Sequence, residues 1–461
     1  MVTLEDWDEL WLNEGFASYF EKTKLFSQNG TVLELDEENA VVEMERMLND
    51  DSFVTSRPLS SIINSSSEVY ESFDDISYAK GREIIRMIRK IIGEQKFRRG
   101  INHYLKKFRL RNARGDDLWR SIDEVLEDNI RGPNGGVLGM LYFGSQWTKQ
   151  MGFPHVTVEC LNSTTVRIKQ DRYLKGSYSS ELGKYSFPSY GYKWDVPLFY
   201  QLGKDEFGLK WLRREGPLYI NIEHGKGPIV VNVGRRGYFR QNYDARCWEN
   251  MIKQFKEDHK IYDALTRFGV ISDAFAAAEI GRLDYETVFQ LLTYLKKEED
   301  RLVWHTVSRK FKDIVQFYGN ELDLEVIKPR LRKILLGRYE KTYKSMDPAS
   351  SATKNMSRKS INMSASTSND LFEKTFIEAY CELGSKDCTS KFRSVFEREV
   401  YRRCRDGEKA SQCVRIRRHL RGCTYCYGVK ELGEIAFQKR IAQSICCYRP
   451  PIAQKCRELA E

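Results

Sequence analysis

The chain has 461 residues, of which 41% are hydrophobic and 12% aromatic, so it can bury several cores; this excludes a disordered protein and favours two to four domains. The formal net charge is +10, and residues 398–421 alone hold nine Lys/Arg against three Asp/Glu. Because regular aromatic interleaving and Gly-rich motifs are absent from that segment, its charge favours a solvated helical face, and no nucleic-acid partner is expected.

The first part of the chain, from residue 7 to residue 141, has mostly helical spacing. Apolar residues recur every three to four positions in two segments: Ile84, Ile88, Ile91, Ile101, Tyr104, Leu105 and Phe108. The pattern predicts amphipathic helices packed on a core. Turn residues at 131–136 mark a loop near the end of this unit, which we assign to residues 1–146.

After Trp147 the apolar period changes to two. The runs lie at 156–160, 194–200, 218–222 and 229–233. They predict a small β-sandwich, which we assign to residues 147–245. Glycines in the turn 224–227 suit a hairpin between the last two runs.

Helical spacing returns in residues 246–461, for example at 274–278 and 285–297. It predicts an all-helical third unit, in which paired helices stack as a solenoid. The segment 349–370 is rich in Ser, Asn, Thr and Met without periodicity, which predicts a flexible insertion.

Cysteines and glycosylation sequons indicate an oxidising compartment. Nine of the eleven cysteines lie between Cys381 and Cys456. Cys423-x-x-Cys426 has no second pair at zinc-ribbon spacing, so a structural disulfide set is favoured over a zinc knuckle. The sequence as given has no signal peptide and no apolar run long enough to span a bilayer. Five N-x-S/T sequons agree with secretion: Asn29, Asn64, Asn162, Asn355 and Asn362.

One carboxylate, Glu14, lies among aromatic and aliphatic residues. On a helix it would share an apolar neighbourhood with Leu10, Trp11 and Phe16. A buried carboxylate needs a cation, a hydrogen-bond donor or a metal. Taken alone, the pattern favours a partly exposed surface glutamate.

The letters W-L-N-E-G-F-A at 11–17 resemble the second half of the gluzincin signature H-E-x-x-H-x18-E of aminopeptidase N-like zinc peptidases. In that family the glutamate of N-E-G-F-A is the third zinc ligand, which implies that role for Glu14 in a His₂Glu set with one position open for water. No two of the 6 histidines are four residues apart, so the H-E-x-x-H segment is missing from this sequence. The resemblance therefore implies a zinc cofactor of which this chain supplies one ligand, and a C-terminal fragment that is inactive by itself.

A second motif, F-D-D-I-S-Y-A-K-G at 73–81 followed by Arg86 and Met87, is similar to the family's F-D-x-I-S-Y-x-K-G-x-x-x-x-R-M. Tyr78 falls on the family's catalytic tyrosine. The resemblance implies that its phenol donates to the oxyanion that develops when zinc-activated water attacks the peptide carbonyl. Without this motif, a tyrosine half-buried at a helix start would be the simpler interpretation.

Three further segments extend the resemblance. W-T-K-Q-M-G-F-P at 147–154 and G-Y-F-R-Q-N-Y-D at 237–244 resemble the entry to and the exit from the family's β-domain, and I-S-D-A-F at 271–275 resembles its helical domain. The exit segment departs from the family at Phe239 and Gln241, where Tyr and Val are usual. The resemblance is strong from residue 1 to about 300 and weaker beyond, although Cys381, Cys388 and Cys426 resemble disulfide positions of secreted members.

The implied fold is multidomain α+β, with the helical distal half of a thermolysin-like catalytic domain at 1–146, a β-sandwich at 147–245 and a helical solenoid at 246–461. The implied function is that of a zinc-dependent aminopeptidase, which removes N-terminal residues from peptide substrates. The parent protein is expected to be extracellular or a plasma-membrane ectodomain, and to be membrane-anchored in the latter case. The alternative is a non-catalytic peptide-binding or scaffolding pseudo-peptidase, in which the solenoid holds a partner.

Overall fold

The fold is mixed α+β and divides into two compact units, Met1–Tyr294 and Leu295–Glu461. A computed structural model describes residues 2–22, 37–126, 130–176, 185, 187–222, 227–318, 322–344, 346–348, 363–404 and 413–432. Helices and sheets make up the first unit, and the described residues of the second unit are helical. The predicted boundaries near residues 146 and 245 fall inside the first unit, and the finer three-domain layout stays a prediction.

Two helices of the first unit begin at aspartates whose side chains satisfy free backbone amides. Asp244 accepts from the Cys247 amide at 2.9 Å, and Asp263 accepts from the Thr266 amide at 2.6 Å. The helices predicted around 84–91 and 101–108 are confirmed, although Leu105 is exposed. The described helices are α1 (Leu10–Lys22), α2 (Glu37–Asp50), α3 (Ser66–Glu71), α4 (Gly81–Ile92), α5 (Glu94–Lys107), α6 (Gly115–Asp123), α7 (Met140–Thr148), α8 (Ala245–Asp258), α9 (Ala264–Glu279) and α10 (Tyr285–Leu291).

Two sheets follow α7. One has the order β7-β4-β3-β9 and the other β6-β5-β8; every pairing is antiparallel except that of β3 with β9. Valines and isoleucines at alternate positions are buried, as in the facing pair Val158 and Ile168. The strands are β1 (Thr3–Leu4), β2 (Asn112–Ala113), β3 (Pro154–Cys160), β4 (Thr165–Arg172), β5 (Val196–Leu202), β6 (Glu206–Leu212), β7 (Leu218–Asn221), β8 (Ile229–Val230) and β9 (Arg240–Tyr243).

The predicted hairpin between the runs 218–222 and 229–233 is wrong. β7 pairs with β4, whereas β8 is a two-residue strand that pairs with β5 in the other sheet. The chain therefore crosses between sheets at this point. Alternating apolar residues identify a strand but do not select its partner. The turn at 224–226 lies outside the described residues.

A fully buried carboxylate, Asp51, joins four segments of the first unit. It pairs with the Lys80 ammonium at 2.8 Å, and neither side chain has exposed surface. The Tyr238 hydroxyl donates to it at 3.1 Å, the Gly152 amide donates at 3.1 Å, and the Ser56 hydroxyl also donates. A buried ion pair is stabilising only when its remaining lone pairs are satisfied, and these contacts satisfy them.

A second buried ionic cluster connects α2 to α9. Arg240 donates to Glu45 at 2.6 Å and to Asp273 at 3.0 Å. Arg235 pairs with Asp273 at 2.5 Å and also with Glu45. Two guanidinium groups thus face two carboxylates, so the cluster is neutral in sum and fixes the helices around the end of the sheet.

The second unit contains α11 (Arg301–Tyr318), α12 (Leu322–Thr342), α13 (Met363–Glu382), α14 (Lys386–Phe396) and α15 (Arg421–Leu432). The predicted flexible insertion, 349–370, lies outside the described residues up to 362. Its last part is helical, because α13 already begins at Met363. Extending a formed helix by further residues costs little, so polar residues without periodicity can belong to it. No helix in the described part of the chain is long and apolar enough to cross a bilayer.

Disulfides are present in both units. Cys423, in contrast, is a buried free thiol, so the expectation of a disulfide at the Cys423-x-x-Cys426 pair is wrong for this residue. The described disulfides join Cys160 to Cys247, Cys381 to Cys388 and Cys404 to Cys413.

We expect the second unit to lose stability in acid through His305. This imidazole is buried against the Phe372 ring, and burial, together with Arg309 and Lys312, lowers its pKa from 6.5 to about 4. Below pH 6.5 the His305 imidazole takes up a proton in the unfolded chain but stays neutral in the folded chain. The free energy of unfolding therefore falls by up to about 3 kcal/mol between pH 6.5 and 4. His305→Leu should remove this part of the pH dependence, measured by urea titration at several pH values.

The control is His103→Gln, which changes a partly exposed imidazole paired with Glu124 in the first unit. An acid loss of the same size in wild type and His305→Leu would show that His305 is not its source.

Candidate active site

Glu14 lies in the middle of α1, on a helix that its neighbours hold firmly. The indole of Trp11 is buried, stacks on Trp119 with ring centroids 5.7 Å apart, and donates to Glu9 at 2.9 Å. The Ser60 hydroxyl donates to the same carboxylate oxygen of Glu9 at 2.9 Å. Glu14 itself stays partly exposed, so the apolar neighbourhood predicted for it does not enclose it.

Tyr78 lies in a π-helical turn, Ile76–Lys80, that leads directly into α4. Single π-helical turns are wider than an α-helix, are rare, and occur frequently at functional sites. The residues on either side of Tyr78, Ser77 and Ala79, are buried, whereas Tyr78 is partly exposed. The turn therefore presents this one phenol at the surface of a buried segment.

Two glycines bring α1 into backbone contact with the start of α4, directly after the π-helical turn. A methyl group on Gly15 would lie 3.1 Å from the Gly81 Cα, and one on Gly81 would lie 3.1 Å from the Gly15 Cα. Only glycine permits so close an approach without displacing a backbone. Each glycine belongs to one of the two sequence motifs, next to Glu14 in the first and at the end of the second. The two sequence motifs that carry Glu14 and Tyr78 are therefore in contact in the folded chain.

The approach of the helices brings the Tyr78 hydroxyl close to the Glu14 carboxylate. Partial burial, the hydrogen bond to Glu14 and the negative charge of Glu14 all raise the pKa of the Tyr78 phenol. The phenol therefore keeps its proton at neutral pH and acts as a hydrogen-bond donor. Both residues predicted from the sequence lie at one place.

A metal at this place would need more ligands than this part of the chain offers. The Glu14 carboxylate is partly exposed, so it can serve as one oxygen ligand of a His₂Glu set. Among the described residues, the group of three potential ligands is Cys160, Asp244 and Cys247. Its two sulfur atoms form a disulfide, and the Asp244 carboxylate accepts from the backbone amides of both cysteines, so this group is structural.

The sequence motifs did not reveal the polar anchors beside Tyr78. Arg57 donates to Asp74 at 2.6 Å and to the Ser77 hydroxyl at 2.8 Å, just before the phenol, and Lys80 pairs with Asp51 just after it. Lys80 stands in the quoted motif, but its partner Asp51 could not be identified from any sequence pattern. No sequence motif pointed to Arg57.

The two motifs that resemble those of gluzincin metallopeptidases lie side by side in the structure, and sheets and a helical region follow them. The comparisons agree: residues 1–132 match the peptidase family M1 domain, and residues 228–445 match the ERAP1-like C-terminal domain. The chain belongs to peptidase family M1, among its aminopeptidase N-like members. Peptidases of this family are in general zinc-dependent.

Three relatives match between 70% and 97% of this chain. It is 42% identical to aminopeptidase N of Haemonchus contortus over 95% of this chain and 44% of that protein. It is 26% identical to aminopeptidase-like protein AC3.5 of Caenorhabditis elegans over 97% of this chain and 41% of that protein. It is 30% identical to glutamyl aminopeptidase of Sus scrofa over 70% of this chain and 33% of that protein. The chain thus spans less than half of the length of these relatives.

The close contact between Gly15 and Gly81 predicts that one added methyl group at Gly81 destabilises the first unit. We expect Gly81→Ala to lower the free energy of unfolding of the first unit by about 1–3 kcal/mol, because the added Cβ meets backbone atoms that cannot rotate away. Gly136→Ala is the matched control, since nothing lies within 4 Å of a Cβ there, and it should change stability by less than about 0.5 kcal/mol. Guanidinium titration measures both, and equal stability of the two variants would contradict the close packing.

Proposed function

We propose that this chain is the distal part of an M1 aminopeptidase, in which Glu14 is a zinc ligand and Tyr78 stabilises the oxyanion. The pairing of Glu14 with Tyr78 across the Gly15–Gly81 contact is the observation that carries the proposal. In this proposal residues 1–146 form the distal half of a thermolysin-like domain, residues 147–245 a β-sandwich, and residues 246–461 a helical solenoid. The reaction is the removal of N-terminal residues from peptides.

Each of the two residues has a distinct task. Zinc, when bound, supplies a Lewis acid that activates water for attack on a peptide carbonyl. Glu14 offers a carboxylate oxygen as one ligand, and its helix is fixed by the buried Trp11. Tyr78 holds its proton at neutral pH, so its hydroxyl donates a hydrogen bond to the carbonyl oxygen as negative charge develops there. A donor whose position is set in advance needs no reorganisation during the reaction.

The proposed location is the cell exterior, as a secreted protein or as the ectodomain of a membrane-anchored parent. Disulfides persist in oxidising compartments, and the described residues contain the bridges Cys160–Cys247, Cys381–Cys388 and Cys404–Cys413. Two sequon asparagines, Asn64 and Asn162, are exposed, as glycosylation requires. The other three sequons lie outside the described residues.

The catalytic proposal is tested in a fusion that supplies the missing ligands. The chain is joined behind the part of Haemonchus contortus aminopeptidase N that precedes the matched region, and zinc content and hydrolysis of aminoacyl anilides are measured. We expect Glu14→Gln to lose zinc. Tyr78→Phe should keep zinc but lower kcat by about 10²–10³-fold, the usual cost of one oxyanion donor. Tyr70→Phe is the control, because this tyrosine is 81% exposed, and it should change neither quantity.

Each outcome has a separate meaning. Full zinc content in Glu14→Gln would contradict the ligand role, and an undiminished kcat in Tyr78→Phe would contradict the oxyanion role. A folded, zinc-loaded fusion that binds peptides without cleaving them would favour the non-catalytic pseudo-peptidase.

The proposed location predicts N-linked glycans on the exposed sequons. When the chain is expressed behind a secretion signal in insect cells, Asn162→Gln should remove one glycan and lower the apparent mass on gels by the mass of that glycan. Asn221→Gln, at an exposed asparagine outside any sequon, is the control. A wild-type chain that is secreted but insensitive to glycosidase would contradict the prediction.

A further inference from the structure

The phenol of Tyr78 receives little support from its own surroundings. It is partly exposed, and the contact described for its hydroxyl is with Glu14, whose side chain is also partly exposed. Side chains at the surface change rotamer readily unless the backbone beneath them is fixed. The position of the hydroxyl therefore depends on the π-helical turn that carries Tyr78.

That turn needs external support, because π-helical hydrogen bonding is less favourable than α-helical bonding and would relax if released. Its C-terminal residue, Lys80, is completely buried. The Lys80 ammonium lies 2.8 Å from the Asp51 carboxylate and donates to the Gly152 carbonyl at 3.2 Å. An ammonium in an apolar interior must stay paired with a carboxylate, so Asp51 fixes the position of the Lys80 ammonium.

The partner of Lys80 is itself immobile. Asp51 accepts hydrogen bonds from the Gly152 amide and the Tyr238 hydroxyl, each at 3.1 Å, in addition to its pairing with Lys80. Gly152 has a φ of +75°, and a Cβ there would lie 2.7 Å from the Arg172 side chain, so this residue is held by its own packing. The anchor thus belongs to the rigid entry into the sheets.

The N-terminal side of the turn has a second anchor. Arg57 donates to Asp74 at 2.6 Å and to the Ser77 hydroxyl at 2.8 Å, and the Ser77 amide donates to Asp74 at 3.1 Å. Arg57 is more exposed than Lys80, so this anchor is the weaker of the two. Tyr78 lies between the two anchors, one residue from Ser77 and two from Lys80.

We propose that Lys80 and Asp51 are positioning residues for Tyr78: their buried ion pair fixes the π-helical turn so that the phenol points at Glu14. The inference rests on the proposed function only for the reason why the Tyr78 hydroxyl needs a fixed position. The placement itself can be measured without zinc or catalysis. A merely structural pair would stabilise the unit and leave the environment of the phenol unchanged.

The experiment places 3-fluorotyrosine at position 78 of the full chain by codon suppression and records its fluorine resonance at neutral pH. Glu14→Ala first shows how far the resonance moves when the contact with the Glu14 carboxylate is lost. Asp51→Asn, which keeps the shape of the side chain and removes its charge, should move the resonance in the same direction. Lys80→Met should move it further.

Two variants separate position from stability. The double variant Lys80→Met/Asp51→Leu leaves no unpaired buried charge, so it should fold even if Lys80→Met alone proves too unstable to measure. It should still move the resonance. Leu198→Ala, in the core of β5, is the matched control, because it lowers Tm without touching the turn and should leave the resonance in place. A resonance that stays at its wild-type position in folded Asp51→Asn and in the double variant would overturn the proposal.

The fusion used for the functional test keeps the two hypotheses apart. If Tyr78 is the oxyanion donor, Asp51→Asn should lower kcat by about 10–100-fold at unchanged zinc content and KM, as expected for a small misplacement of a reacting group. If Tyr78 has no catalytic role, kcat stays the same while the fluorine resonance still moves. That result would reject the proposed function and retain the positioning role of the ion pair.

Discussion

The first unit depends on one fully buried carboxylate, Asp51. A carboxylate without water must be paired and hydrogen-bonded, or it destabilises the fold by several kcal/mol. Its partners come from three distant places in the chain: Lys80 beside the candidate site, Gly152 at the entry to the sheets, and Tyr238 just before β9. Satisfying this one group therefore fixes the end of α2, the π-helical turn and the sheets relative to each other.

The second ionic cluster shows a similar role for the motifs that resemble the family: buried charges in these motifs join distant segments of the chain. Arg240 lies in the segment at the end of the sheet, Asp273 in the helical motif that follows, and they meet at 3.0 Å beside Glu45. Gln241, which departs from the family pattern, is buried and accepts from the Tyr243 hydroxyl at 2.8 Å. These segments carry no catalytic residue, but their buried contacts connect distant parts of the fold. This structural role explains why they resemble the family.

Much of the fold could be predicted from the sequence, because periodicity reports which face of an element is buried. The helices around Ile84 and Ile101 and a strand in each of the four runs follow from it, and the candidate residues Glu14 and Tyr78 follow from short motifs. Partner choice could not be predicted in this way. The wrong hairpin before β8, the pairing of Lys80 with Asp51 and the exposure of Leu105 all depend on contacts between distant segments. The glycines at 15 and 81 were visible in both motifs, yet only the structure shows that they touch.

The arrangement around Tyr78 follows from a conflict between access and rigidity. A group that donates to a substrate oxygen must be exposed, and an exposed side chain cannot be fixed by close packing. Precise placement must then come from the backbone, and the widened turn at Ile76–Lys80 supplies the direction only while its ends are held. A buried ion pair is a costly anchor, because hydrophobic residues in place of both partners would often be more stable. The presence of the pair next to the phenol is physically reasonable if Tyr78 is the proposed oxyanion donor, since one preorganised donor lowers the barrier by about 3–4 kcal/mol.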